Sequence, residues 1–461
     1  MPFIPYVLFT DVLLWLLIAA VALYAGYCAR RPHLAAPWKR VYGSRVAVSC
    51  SVVLVFFVAV AFLDSLHYRV RLQSAGEGNA VAYAPEALSV LDLALAPLRQ
   101  RAERTYSAPL ATRLYAKELV EVKEGPHAGE QVRDYPRLKY GGAHLQDESD
   151  RVRDIYARIA LGLVVVGAAT VLVGLGVRRL RRRWPAVPWR SAGTTLLIGA
   201  GVAVPAAFLA QHYHVLGTDK VGQDVLYQAL KSIRVSVIIG TLTTLVLLPL
   251  GVALGVMAGY FRGWIDDAIQ YLYTTLNSIP GVLLIAAAVL MMQVVIDRNA
   301  EWFATAALRA DFRLLILCAI LGLTSWTGLA RLLRGEALKL SQLEYIQAAH
   351  AFGVSDARVL SRHILPNVAH IVIISLVMDF SGLVLAEAVL SYVGVGVDPA
   401  TTSFGTMINA ARLEMGREPI VWWSLAAAFF FLFVLVLAAN LFADAVRDGF
   451  DPRVRMGTVP A

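Results

Sequence analysis

Residues 335–366 read GEALKLSQLEYIQAAHAFGVSDARVLSRHILP, a mixed-charge segment between two long apolar runs. Its spacing predicts one short helix over about 338–351, a stop at Gly353, and a second helix capped by Ser355. Glycine ends a helix at no steric cost because, without a Cβ, it takes the left-handed conformation freely. Ala348, Ala349 and Ala351 make a low-profile surface on which another protein's groove could close, while Arg358, Arg362 and His363 point positive charge toward a membrane surface. A plain cytoplasmic loop on lipid headgroups would explain the charge but neither the alanines nor the glycine.

Outward from this segment the chain is built for lipid. Of its 461 residues, 58% are hydrophobic and 16% charged, and apolar runs of membrane-spanning length recur, which excludes a soluble globular protein. Candidate spans are 3–29, 46–63, 156–177, 193–210, 232–259, 265–292, 312–333, 367–394 and 421–445. The net charge of +9 falls in short segments between those runs, a positive-inside pattern, so no nucleic-acid partner is expected. Loop 30–45 holds Arg30, Arg31, Lys39, Arg40 and Arg45 with no acid, and RRLRRR fills 178–183; both are expected in the cytoplasm. Alternation then places 335–366 and the tail RDGFDPRVR in the cytoplasm, and 64–155, 211–231, 293–311 and 395–420 outside. Arg30 and Arg31 follow the first apolar run instead of preceding it, so residues 1–29 read as a retained span and not a signal peptide. Segment 64–155 is polar and carries both signs of charge, near the lower size limit for an independent core. Cys28, Cys50 and Cys318 lie in or beside apolar runs and imply no disulfide framework.

Catalytic signatures are missing. No G-x-x-x-x-G-K-[ST], H-E-x-x-H or G-x-S-x-G occurs, so neither a nucleotide cradle nor a catalytic residue is expected. His212 and His214 in QHYHVLG lack a third ligand, and an interfacial pair is the expectation over a zinc or nickel site. Asp379 and Glu387 lie inside a candidate span, about 80° apart on a helix. They read either as a pathway or inter-subunit contact, or as hydrogen bonds to a neighbouring helix. Asp11 reads as lying near the outer surface. Gly251, Gly255 and Gly259, on the span with Pro249, recur every four residues and let another helix approach closely; Pro280 and Gly281 fall on the next span. In the outer loop, Gly217, Thr218 and Asp219 look like a turn with a cap, Gly222 follows, and Asp224 caps the next helix.

Q-A-A-x₃-G-x₉-H-I-L-P resembles the EAA loop of binding-protein-dependent ABC importer permeases, in the dipeptide/oligopeptide/nickel branch and its second, C-type permease. LGTDKVGQDVL is similar to that branch's LGTDxxGRDVL, and GVMAGYFRGWIDD to its GxxAGYxGGxxD. LAEAVLSYVGVGV is similar to LAEAxLSFLGLG, and RDGFDPR to RDxxDPR. The resemblance covers about 190–453 in order and spacing. It implies an all-α integral membrane protein with a six-span permease core at 191–453. Two N-terminal spans in 1–63, an extracytoplasmic insert at 64–155, and a third span with a basic linker at 156–190 lie outside it. It also implies a multi-pass protein of the bacterial inner membrane, in contact with lipid. The implied partners are a second permease, two ABC ATPase subunits that hold ATP and Mg, and an extracytoplasmic solute-binding protein; no cofactor sits on this chain. By position, Gln347, Ala348, Ala349 and Gly353 would couple to the ATPase, with Tyr345, Arg358, His363 and Pro366 supporting. Gln347 stands where the family has an acid, and Glu344 is placed to supply that charge; Gln223 stands where the branch has Arg. The implied cargo is a short peptide, with nickel, opine, glutathione and sugar-like cargos open. An ion-coupled transporter using Asp379 and Glu387, or a receptor acting through 64–155, are the rival readings.

Overall fold

A computed structural model describes residues 3–71, 83–84, 86–121, 131–183 and 187–450. The end of the RDGFDPRVR tail, and the side chains of RRLRRR, lie outside the described residues. The amino-terminal third contains β1 (Phe3–Pro5), α1 (Phe9–Arg30), α2 (Pro32–Val41), α3 (Arg45–Ser65), β2 (His67–Val70), β3 (Leu88–Ser89), α4 (Val90–Ala94), α5 (Ala96–Gln100), β4 (Glu118–Glu121) and β5 (Gln131–Asp134). Next come α6 (Arg151–Arg183), α7 (Trp189–Ala210), α8 (Val225–Phe261), α9 (Gly263–Ser278), α10 (Gly281–Arg298) and α11 (Ala306–Ser325). The rest is α12 (Thr327–Leu340), α13 (Glu344–Ala351), α14 (Asp356–Val359), α15 (Leu365–Val393), α16 (Phe404–Glu414) and α17 (Trp423–Phe450). Among the described residues, eight helical segments are long and apolar enough to cross a membrane.

The chain divides into two compact units. One comprises Met1–Tyr6, Ser51–Val235 and Thr402–Leu435; the other comprises Val7–Cys50, Ser236–Thr401 and Val436–Ala461. In the first, α6 packs along α7, and Gly162 lets the helices close: a Cβ there would lie 2.7 Å from Pro205 Cα. Segment 64–155 contributes short strands and helices to this unit. β2 pairs antiparallel with both β1 and β3, and β4 with β5. A polar insert of this size gains order from such local pairing and from the α7–α8 loop it packs on.

The second unit has its core between α8, α12, α13 and the start of α15. Leu247, Val256, Trp326, Leu333, Ile346 and Val368 are buried there together. Close approach of α8 and α12 makes this possible. A Cβ on Gly251 would meet Leu329 Cδ2 at 2.9 Å, one on Gly255 Ala330 O at 2.6 Å, and one on Gly259 Arg334 O at 2.5 Å.

Four expectations require correction. Residues 3–5 are a strand and not the start of the first span, because they pair antiparallel with β2, Phe3 opposite Val70 and Pro5 opposite Tyr68. The span expected over 265–292 is two helices, α9 and α10. The Pro280 ring bars the residue before it from helical geometry, and Ile279 takes φ −93°, ψ 133°. The span over 312–333 breaks at Trp326 into α11 and α12, after Thr324 Oγ1 has turned back onto Ile320 O at 2.9 Å. The helix expected over 338–351 is also two, with α12 ending at Leu340 and α13 starting at Glu344.

Gly255→Val is expected to lower stability by about 1–3 kcal/mol, because its Cβ meets α12 backbone that cannot move aside. Gly281→Ala, whose Cβ would meet nothing within 4 Å, should stay within about 0.5 kcal/mol. Thermal unfolding of the two purified variants followed by size-exclusion fluorescence measures the difference.

Candidate functional site

The segment singled out by the sequence is α13, the Gly353 turn and α14. Alternation of faces decides its layout. Ile346 points inward and is fully buried among Leu333, Ala337, Val359, Ile364 and Val368, whereas Tyr345, Gln347, Ala348, His350, Ala351 and Phe352 are exposed. Ala349 is half-buried against the same core. Gly353 adopts φ +73°, and the helix end is a Schellman motif: Val354 N–H donates to Ala349 O at 3.0 Å and Gly353 N–H to His350 O at 2.9 Å. Ser355 stands at the α14 N-cap, but its side chain accepts no capping bond, contrary to the expectation from sequence. From α14 the chain passes through a π turn at Leu360–Ile364 into α15, with Pro366 exposed in the first turn, where a missing N–H costs nothing.

Side-chain bonds hold the segment on two sides. Asn367 Nδ2 donates to Tyr345 Oη at 3.2 Å and to His363 O at 2.8 Å, tying α13 to α15, and the Tyr345 and His363 rings lie 6.0 Å apart. Tyr260 Oη, at the end of α8, donates to Asp356 Oδ1 at 2.8 Å and lies 2.9 Å from His350 Nε2. Next to it, Arg334 of α12 makes a bidentate pair with Asp266 of α9 at 2.6 and 2.7 Å. Gln347 Nε2 donates to Gln342 O at 3.2 Å, a bond a carboxylate could not make. Glu344 and Arg358 are exposed. Phe352, which sequence reasoning passed over, is the outermost side chain here at 86% exposure. Its only sequence signal was an aromatic residue beside the helix-ending glycine. Arg262 also escaped notice: it takes φ +54°, ψ −166° in the slot where the quoted GxxAGYxGGxxD pattern has glycine.

The residues of the α7–α8 loop form a separate cluster in the first unit. Gly217 and Gly222 have φ +73° and +77°, and Cβ atoms there would lie 2.4 Å from Ser107 O and 2.0 Å from Glu103 O. Both glycines are therefore needed twice over, for the turn and for the approach of the 64–155 segment. Thr218 Oγ1 donates to Thr105 O at 2.9 Å and accepts from Ser107 N–H at 2.7 Å; its carbonyl accepts from Trp423 Nε1 at 2.9 Å. Asp219 Oδ1 accepts from Val221 and Gln223 N–H, both at 2.9 Å. Asp224 Oδ1 caps α8 through Leu226 N–H at 2.9 Å, and its Oδ2 lies 2.8 Å from His214 Nδ1.

His214 is 3% exposed, and its Nε2 lies 3.4 Å from Glu103 Oε1, an ion-pair contact without hydrogen-bond alignment. Burial alone would lower its pKa, but the carboxylates of Asp224 and Glu103 outweigh burial and push it up to about 9. Burial likewise opposes ionisation of Glu103, yet His214 and the N–H groups of Tyr140, Lys139 and Gly141 hold its carboxyl below the usual range. His212 lies elsewhere, its ring 4.6 Å from that of His144. Among the described residues, no three of His, Cys, Asp and Glu are grouped to hold a metal.

The intramembrane acids do not converge. Glu387 is buried and accepts from Ser391 Oγ at 2.7 Å, bracing the turn at Gly394, φ +87°. Asp379, eight residues back on α15, is half-buried. Asp11 is buried in the first turn of α1, beside Thr10, whose N–H donates to Asp311 Oδ2 at 3.1 Å.

Residues 251–456 match the family described as "Binding-protein-dependent transport system inner membrane component". The chain is 33% identical over 244 residues to a glutathione transport system permease protein of Pectobacterium atrosepticum, covering 52% of this chain and 73% of the relative. It is 31% identical over 242 residues to an oligopeptide transport system permease protein of Mycobacterium bovis, with 52% and 77% covered. A dipeptide transport system permease protein of Lactococcus lactis is 30% identical over 240 residues, with 52% and 64% covered.

Because the folded-state pKa of His214 lies above its unfolded value near 6.5, its contribution is complete below about pH 6.5 and disappears as pH rises through about 9. His214→Gln should therefore lower the melting temperature most at about pH 6 and least at about pH 9.5, with a difference on the order of 2–3 kcal/mol between the ends. A gap constant with pH would show that His214 is not charged in the native state.

Proposed function

The chain belongs to the inner-membrane permeases of binding-protein-dependent ABC importers, in the peptide branch, and on that premise we propose that it forms half of an ATP-driven translocation path. A second permease supplies the other half, two ABC ATPase subunits bind below the pair, one of them at the α13–α14 segment of this chain, and an extracytoplasmic solute-binding protein delivers cargo. ATP and Mg are held by the ATPase subunits. The cargo is a di- or oligopeptide, a class supported by the names of the oligopeptide, dipeptide and glutathione relatives.

The carrying observation is the build of α13: a helix stopped by a left-handed glycine, anchored inward by Ile346 and presenting Phe352 among alanines. An exposed aromatic ringed by small side chains is the form of an interface anchor that fills a partner's pocket. Tyr260–His350 and Tyr345–Asn367 supply two grips on the spans, so motion imposed on α13 passes to α8 and α15 as a rigid-body shift. Closure of the ATPase pair would then exchange an inward-open for an outward-open cavity.

Phe352→Ala is expected to reduce co-purification of the ATPase by about tenfold while leaving the melting temperature of the permease unchanged, since the ring is exposed. Undiminished ATPase capture counts against α13 as the docking helix. Gly353→Val imposes about 1–2 kcal/mol of left-handed strain and should leave the complex inserted, with ATP hydrolysis uncoupled from uptake. Normal peptide uptake by that variant in proteoliposomes would contradict the coupling role.

A further inference from the structure

Helix α2 carries Leu34, Pro37, Trp38 and Val41 at the i, i+3, i+4, i+7 spacing of one helical face. The protein itself covers that face. Val41 is buried with Ala47 and Val446, and the Trp38 ring meets Phe450 edge-on at 5.2 Å. Lys39 and Arg40 project from the opposite face on either side of Ala36, and all three are exposed. Arg30, Arg31 and Arg45, at the two ends, are exposed as well. No acid occurs between residues 30 and 45, and among the described residues none of the five cations makes an ion pair; Arg31 rests 5.5 Å from the Tyr27 ring centroid.

We propose that this face of α2 is a binding site for anionic phospholipid headgroups. The flanking helices α1 and α3 are both of membrane-spanning length, which keeps α2 at the membrane boundary, where lipid phosphates are concentrated. Trp38 and Tyr42, stacked at 6.3 Å, are the aromatic types that settle at that boundary. Each cation beside a membrane-spanning helix favours anionic lipid by up to about fivefold, less where neighbouring cations share the same headgroup. Because the apolar face is used up by Val446 and Phe450 of α17, the basic face has a fixed orientation and need not insert to bind. The site packs against α17 and, through Ile373 and Val377, against α15, the span that follows the coupling segment.

The test uses the full chain in nanodiscs, with a fluorophore on Ala36→Cys; the native Cys28, Cys50 and Cys318 are buried and should label poorly. Spin-labelled phosphatidylglycerol and spin-labelled phosphatidylcholine are compared as quenchers at equal mole fraction. The expected result is a preference for phosphatidylglycerol of about tenfold, falling to within about twofold in Lys39→Gln/Arg40→Gln and at about 0.5 M salt. Equal quenching by the two lipids in the parent protein overturns the proposal. So does a preference that persists at high salt, an outcome readable even if the double variant fails to fold.

Discussion

Backbone contact between α8 and α12 is the constraint on which the second unit depends. Three glycines four residues apart remove the α8 side chains from the contact, so Ala330 O and Arg334 O come within 2.6 and 2.5 Å of where the Cβ atoms of residues 255 and 259 would be, and the Leu329 side chain fills the space at Gly251. This approach brings Leu333 and Ala337 of α12 into the cluster that also receives Val256 of α8 and Ile346 of α13. Full burial of Ile346 contributes about 1.5–3 kcal/mol, enough to hold an eight-residue helix that would not persist alone. Helix α13 is thus ordered by what lies beneath it.

The same arrangement explains why the exposed face can be spare. Alanines and a glycine contribute little packing of their own, and order in α13 comes from Ile346, the Schellman bonds, Tyr345 on Asn367 and Tyr260 on His350. Those devices leave Phe352 and Gln347 free of structural duty toward the core. Such a division suits a part that must be rigid toward its own spans and open toward a partner.

In the first unit, the described residues of segment 64–155 pack on the α7–α8 loop and the start of α8. Glu103 N–H donates to Gly222 O at 2.9 Å, and Lys231 Nζ lies 2.6 Å from Asp64 Oδ1 and 3.1 Å from Asp92 Oδ1. Tyr227 Oη adds a bond to Asp92 Oδ1 at 2.7 Å. His214 lies between two buried carboxyl groups, Asp224 Oδ2 at 2.8 Å and Glu103 Oε1 at 3.4 Å.

The membrane class, the family and the Gly353 stop were legible in the chain because each rests on local composition or on motif order: apolar run length, glycine at a helix end, and residue types at set spacing. Gly251, Gly255 and Gly259 signalled close packing for the same reason. The breaks at Ile279–Pro280 and Trp326 were harder to see, since apolar content continues across them and hydropathy is blind to a lost backbone hydrogen bond. Partners distant in sequence were not legible at all. Glu103 with His214, Tyr260 with Asp356, and Arg334 with Asp266 lie 68 to 111 positions apart, and which charge meets which is set only when the helices pack. Local chemistry determined what each segment of this protein is, whereas tertiary packing decided which face of α13 is anchored and which remains open.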